Sequence, residues 1–315
     1  MGIHGGSGHV VTPELCSVLE EAIARAANEP SFRIERQTPV SGGCINEALC
    51  VEGRGRRYFV KLGRLPDGRS RNPDGMNGLA VFEAEAQGLE TIAATGNVRV
   101  PRPIVWGDRG GRPWLVMEYI TMTASAGGER LGERLAALHR NTADRFGWRR
   151  NNNIDATPQP NDGSADWIDF LRERRIGFQL QLARQDGAGH SLLDKGEPLL
   201  AGLPALFGSY RPRPSLIHGD LWGGNQAVDQ DGEPILFDPA VHYADREADL
   251  AMTELFGGFD RDFYAAYHAA WPLDPGYAVR KTLYQLYHIL NHHHLFGGGY
   301  ALQAEPMMDR LLAEI

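Results

Sequence analysis

The spacing of hydrophobic and polar positions divides the chain into three stretches. Residues 13–27 place Leu15, Val18, Leu19, Ala22, Ile23 and Ala26 on one helical face, with Thr12 as N-cap and Pro13 at the first helical position. Over the next hundred residues the pattern changes to short β-rich runs, 32–36, 48–51, 57–62 and 114–119, separated by glycine-rich turns. One helical pattern, 79–95, interrupts them. This predicts a small, mostly antiparallel lobe carrying a single helix. Beyond Tyr119 the period is mainly helical, over 131–140, 167–184, 260–271 and 277–296, broken by a strand-like island at 216–237. Two stretches carry no period. Residues 64–78 are polar and full of turn signals, which predicts a mobile excursion, and 151–166 read as a loose linker inside the helical part. The fold class expected is therefore α+β in two lobes, a β-rich lobe over 1–119 and a larger, mainly helical lobe over 120–315.

Composition agrees with that division. A chain of 315 residues with 42% hydrophobic and 23% charged positions buries a real core, and at this length one core stops growing. The net charge of −8 excludes the basic footprint of a nucleic-acid binder and favours a small-molecule partner. The chain has neither a membrane-spanning apolar run nor a basic, apolar leader at its start, so no membrane and a cytoplasmic location are expected. Cys16, Cys44 and Cys50 are odd in number and lack zinc-ligand spacing, which predicts free thiols. Lysine is scarce: only Lys61, Lys195 and Lys281 occur among 32 basic residues.

The densest chemistry lies in His218-Gly219-Asp220-Leu221-Trp222-Gly223-Gly224-Asn225. This is the H-x-D-L-x-x-x-N spacing of a kinase catalytic loop, in which one loop presents a base to the attacking hydroxyl and an amide to magnesium. A polar loop capped by Asp and Asn would use similar residues. A second feature argues against that reading: the apolar run Ile235-Leu236-Phe237 delivers Asp238 where a kinase places its other magnesium ligand. Upstream, Lys61 stands in the strand-like 57–62, the context of a lysine that contacts the α and β phosphates, and a compact ammonium suits a narrow phosphate site. Its usual helix partner is a glutamate. Glu83 and Glu85 are both candidates, but two residues apart on a helix they cannot face the same way. The loop with Gly42, Gly43 and Cys44 lets backbone approach phosphates, and Met117, Glu118, Tyr119 and Ile120 occupy the hinge position that would hold adenine. No G-x-x-x-x-G-K-[ST] occurs, which disfavours a P-loop NTPase. A protein kinase is disfavoured because Gly219 replaces the loop arginine, Pro239 replaces the last glycine of D-F-G, and no A-P-E follows.

Taken together, these segments resemble the fructosamine kinase (ketosamine 3-kinase) family, within the aminoglycoside-phosphotransferase and choline-kinase-like group. The resemblance rests on Ser41 to Ile45, Val100-Pro101-Arg102-Pro103, His218 through Asn225, Phe237-Asp238-Pro239-Ala240, Asp245 through Met252, Phe256-Gly257-Gly258-Phe259 and Leu283-Tyr284-Gln285-Leu286-Tyr287. It implies a protein-kinase-like fold with ATP between the lobes, Glu85 as partner of Lys61, Asp220 as base or orienter, and Asn225 and Asp238 as magnesium ligands. It also implies phosphorylation of the 3-hydroxyl of ketosamines, leading to deglycation. Trp222, His288 and His292 fall near the family's sugar site. The i, i+4 pair His288 and His292 would suit zinc, but no carboxylate or cysteine stands beside it. Cys44 matches a redox-sensitive loop cysteine of the family, so either a monomer or a redox-linked homodimer is expected. The alternatives are a kinase of another small alcohol, such as an aminoglycoside or choline, and a non-catalytic pseudokinase module.

Overall fold

The computed structural model describes residues 11–40, 47–63, 78–123 and 128–315. The chain groups into two compact units, one formed by the residues up to Glu90 together with Pro101–Thr121, the other by Thr91–Val100 and Met122–Ile315. The expected division fell at a single point after residue 119. The chain instead enters the second unit for ten residues, Thr91–Val100, before returning to the first. Arg99 is what holds them there: its carbonyl accepts from Leu236 N, and its guanidinium bonds Asp229 at 2.8 Å.

In the first unit, α1 (Pro13–Ala26) starts on Thr12, whose hydroxyl accepts from Leu15 N, and buries Leu15, Leu19 and Ile23. Five strands follow: β1 (Arg36–Pro39), β2 (Glu47–Gly53), β3 (Arg56–Leu62), β4 (Pro103–Arg109) and β5 (Arg112–Glu118), with α2 (Gly78–Ala94) between β3 and β4. They form one antiparallel sheet in the order β1-β2-β3-β5-β4. Alternation along β3 sends Tyr58, Val60 and Leu62 into a core shared with α1 and leaves Lys61 on the opposite face. Two expectations are corrected. The first strand begins at Arg36, not at 32, because Phe32 turns inward against Tyr58 with ring centroids 5.3 Å apart and Ile34 N donates to Glu20. Strand β4 was not foreseen, since its register is interrupted between Pro103 and Val105 and its residues do not alternate in burial.

The second unit is mainly helical, with its core around Trp167, Phe170, Leu199, Leu203, Leu283, Tyr284, Leu286 and Met308. Its longest helix, Tyr277–Phe296, matches the expected span. The stretch expected as one helix over 167–184 is three pieces: Trp167–Phe170, a π-helical turn Leu171–Ile176, and Gly177–Gln185. Gly177 explains the wide turn. Its N–H donates to Arg172 O, and a Cβ there would lie 2.1 Å from that oxygen. The expected linker over 151–166 is also corrected. It holds a hairpin, Asn152–Ile154 with Thr157–Gln159, whose buried amides satisfy one another and the neighbouring backbone. The excursion 64–77 and the glycine loop 41–46 lie outside the described residues. Among the described residues no helix is long and apolar enough to cross a membrane.

Candidate active site

In the first unit, Lys61 Nζ donates to Glu85 Oε1 at 2.6 Å, and the two side chains are only 9% and 13% exposed. A buried pair of this kind is held for geometry more than for stability, because desolvation offsets most of the attraction. Glu83, two residues earlier on the helix, accepts from Gln87 Nε2 at 3.3 Å. Met117 is buried in β5. The Glu118 amide donates to Arg102 O at 2.8 Å, so that N–H belongs to the protein's own backbone. Tyr119 lies beneath Arg57, whose guanidinium carbon is 4.6 Å from the ring centre, and Ile120 is buried. Gly42, Gly43 and Cys44 lie outside the described residues.

In the second unit the strand Ser215–Ile217 runs into the loop carrying His218 and Asp220, which closes in a 3-10 turn at Gly223–Asn225. Asp249, in the first turn of helix Glu247–Thr253, fixes the start of that loop: its carboxylate accepts from His218 N at 2.7 Å, Gly219 N at 2.8 Å and His139 Nε2 at 3.1 Å. Burial alone would push this carboxyl up, but the bonds from His139 and Gly219 and the charges around it hold it below its ordinary value. His139 in turn bonds the Tyr267 hydroxyl. Gly219 sits at φ +85°, and a Cβ on it would lie 2.2 Å from Ala240 O. Close backbone contact therefore requires glycine at this position. His218 Nε2–H donates to Phe237 O at 2.9 Å, while Nδ1 accepts from Asp220 N at 3.3 Å. Burial pushes the ring's pKa down, so it works as a neutral spacer between the loop and the segment bearing Asp238.

Asn225 and Asp220 are locked together. Asn225 Nδ2 donates to Asp220 O at 2.9 Å and Asp220 Oδ2 at 3.1 Å, leaving Asn225 Oδ1 as the amide's remaining acceptor. Asp220 is buried, and desolvation, then the charges of Asp155 and Asp238, push its carboxyl well up. Such a carboxyl has raised proton affinity, which suits a base. Asp238 ends the strand Pro234–Leu236 and its flanking residue Phe237 at φ 56°, a left-handed conformation that a non-glycine residue keeps only under constraint. Trp222 lies over Gly224, where a Cβ would meet the indole at 2.2 Å.

The histidines on helix Tyr277–Phe296 divide. His288 is buried, its pKa pushed down to about 3 by desolvation, and its Nδ1 has no hydrogen-bond partner. His292 is half-buried, donates from Nδ1 to His288 O at 2.8 Å, and packs among Phe256, Phe296 and Tyr300. Sequence reasoning did not single out Asp249, His139 or the hairpin residues Asn152, Asp155 and Gln159. Asp249 stood inside a quoted motif, but nothing in its spacing told that it would reach back thirty residues to the loop.

The fructosamine kinase family profile matches residues 18–314. A probable ketoamine kinase of Synechocystis sp. is 44% identical over 306 residues, covering 96% of this chain and 99% of its own length. The chloroplastic protein-ribulosamine 3-kinase of Arabidopsis thaliana is 40% identical over 277 residues, covering 87% and 81%. Among solved structures, one from Thermobifida fusca assigned as a fructosamine-3-kinase superposes with a TM-score of 0.79 at 31% identity, over 93% of this chain and 99% of that one. An aminoglycoside phosphotransferase superposes at 0.61 with 14% identity, over 94% and 98%, which shows the shared protein-kinase-like fold. With a family profile spanning almost the whole chain and a relative 44% identical along nearly its full length, the chain belongs to the fructosamine kinase family.

Proposed function

We propose that this protein is an ATP-dependent kinase that phosphorylates the 3-hydroxyl of ketosamines, the sugar adducts of amines. The observation that carries this reading is the pinned pair of Asp220 and Asn225: a buried carboxyl of raised proton affinity, held by an amide that keeps an oxygen in reserve. In the reaction the substrate oxygen attacks the γ-phosphorus, the bond to ADP breaks, and the hydroxyl proton passes to an Asp220 oxygen. Asp220 also aims that oxygen. Phosphoryl transfer asks the protein for positioning and charge neutralisation more than covalent chemistry. Lys61, oriented by Glu85, is assigned to the α and β phosphates, with the glycine loop of Gly42, Gly43 and Cys44 and the backbone of 117–120 completing nucleotide contacts.

The donor set fits magnesium. Asn225 Oδ1 and the Asp238 carboxylate are hard oxygen ligands, and the amide is turned by its own bonds to Asp220 so that oxygen, not nitrogen, remains. When bound, the ion neutralises phosphate charge. Trp222 and His292 are assigned to the sugar, and His288 is a buried, neutral ring on the same helix as His292. Turnover of magnesium-ATP with a panel of fructosyl-lysine, ribulosyl-lysine and an aminoglycoside tests the reading. Phosphorylation of a ketosamine is expected, and phosphorylation of the aminoglycoside alone would overturn it.

A further inference from the structure

Four arginines of the second unit converge on a concavity that the reaction does not use. Arg140 follows the helix Gly128–His139, Arg211 and Arg213 precede the strand Ser215–Ile217, and Arg246 precedes the helix Glu247–Thr253. With Trp271 they line a cavity of about 500 Å³, a volume that suits a small ligand. Asp220, Asn225 and Asp238 are not among its walls. In a chain of net charge −8, four guanidiniums around one space are a local reversal of sign. Among the described residues no carboxylate forms an ion pair with any of the four. The one acid in the lining, Asp245, is engaged elsewhere: its Oδ1 accepts from the Tyr210 hydroxyl and Glu247 N, and its Oδ2 from the Tyr284 hydroxyl at 2.6 Å.

Part of this charge has structural work. Arg140 donates to Ala270 O, and Arg246 to Trp271 O and Pro272 O, at the C-terminal end of the helix Arg261–Ala270, where cations are favoured. Arg211 donates through Nη1 to Gly208 O and Tyr210 O. That work does not exhaust the donors, because each guanidinium carries five N–H groups. Arg246, only 6% exposed, commits three of them and keeps its Nε–H and one Nη2–H. Arg213 is exposed and its side chain makes no hydrogen bond among the described residues. Trp271 holds two of the cations in place, with the Arg246 and Arg140 guanidinium carbons 4.1 and 5.6 Å from its ring centre. The site is therefore built before any ligand arrives, and planar donor forks of this kind match phosphate oxygens.

Arg246 also begins a buried chain that ends on the catalytic loop. Its Nη1 donates to the Tyr267 hydroxyl at 3.0 Å, and that hydroxyl bonds His139 Nδ1 at 2.8 Å. His139 Nε2 donates to Asp249 at 3.1 Å, and Asp249 accepts from His218 N and Gly219 N, directly before Asp220. We propose that the four-arginine cavity binds a small organic phosphate, separate from the nucleotide, and that its occupancy is felt at the catalytic loop through Arg246, Tyr267, His139 and Asp249. The binding claim stands by itself; the coupling rests on the reading of Asp220 as the catalytic base.

The probe is phosphoglycerate, titrated calorimetrically into the full chain at fixed ionic strength. Magnesium and a non-hydrolysable ATP analogue are present, so that the nucleotide site is filled. Citrate and glycerol are titrated in parallel. The variants are Arg213→Gln and the double variant Arg211→Gln with Arg213→Gln; both side chains are exposed, and thermal unfolding checks that the parent Tm is kept. The expected result is one phosphoglycerate site in the parent, weakened about tenfold in the single variant and about tenfold to a hundredfold in the double, the size of lost charge-assisted contacts. At saturating ATP, phosphoglycerate should change kcat for fructosyl-lysine in the parent and leave the double variant unaffected. Absence of binding to the parent, or equal affinity in parent and double variant, overturns the site. Citrate binding more tightly than phosphoglycerate overturns the phosphate assignment. Arginine-dependent binding with unchanged kcat overturns the coupling and leaves the site. A parent that phosphorylates no ketosamine overturns the kinase reading, while the titration still decides the site.

Discussion

Asp249→Asn removes one charge and no volume from a side chain that is 1% exposed. Its two oxygens accept from His218 N, Gly219 N and His139 Nε2. An asparagine in the same place keeps one acceptor and turns a donor toward at least one donor. A charge-assisted hydrogen bond contributes about 1.5–3 kcal/mol, and a buried N–H left unsatisfied costs about 1–3 kcal/mol. Together the loss is about 3–5 kcal/mol, a large part of the roughly 5–15 kcal/mol that keeps a protein folded. The variant should fold, with a Tm lower by about 5–10 °C for a chain of this size. Because the freed amides immediately precede Asp220, kcat should also fall, by about 10-fold to 100-fold, as the base drifts from its aim. The pH dependence gives an independent sign. The Asp249 carboxyl is held below its ordinary value, so its contribution is complete above the unfolded value near pH 4 and fades as pH falls through the lowered folded one. Urea midpoints of parent and variant should therefore differ most at neutral pH and converge in acid. A variant within about 0.5 kcal/mol of the parent at pH 7, or a gap that does not change with pH, would refute the reasoning.

Three further outcomes concern the catalytic loop and the segment bearing Asp238. Asp220→Asn should lower kcat by about 10² to 10⁴ while ATP still binds, which isothermal titration beside steady-state kinetics will measure; near-normal turnover removes it from the role of base. Asp238→Ala should abolish magnesium-dependent nucleotide binding, whereas equal ATP affinity with and without magnesium in parent and variant alike contradicts the metal assignment. Gly219→Ala should destabilise by about 2 kcal/mol or more, read by thermal unfolding, since it places a Cβ 2.2 Å from Ala240 O on a backbone at φ +85°.

The positions that carry chemistry were legible because they are local. The loop from His218 to Asn225, the strand-end Asp238 and the lysine in β3 announce themselves by spacing within a few residues. Period alone likewise gave helix Tyr277–Phe296 and most of the sheet. The choice between Glu83 and Glu85 was open to local spacing and closed only by the resemblance; the structure places Glu85 on Lys61 because the two side chains leave β3 and α2 toward each other. What escaped is non-local or carried by backbone. The hairpin at 152–159 looks like a linker because its strands are short and its inward positions are amides, which pair with each other and with carbonyls some eighty residues away. Gly219 looked like a lost arginine, and only the approach of Ala240 explains it. The wide turn at 171–176 likewise depends on a missing side chain at Gly177.

The central claim is the reaction itself, and product analysis tests it most directly. The full chain is incubated with magnesium-ATP and fructosyl-lysine, ribulosyl-lysine or an aminoglycoside, and the phosphorylated carbon is identified by phosphorus–proton correlation NMR. Magnesium-dependent formation of ADP together with a ketosamine bearing phosphate on O3 is the predicted result. Phosphate on another hydroxyl, on the aminoglycoside alone, or on no acceptor at all would contradict it.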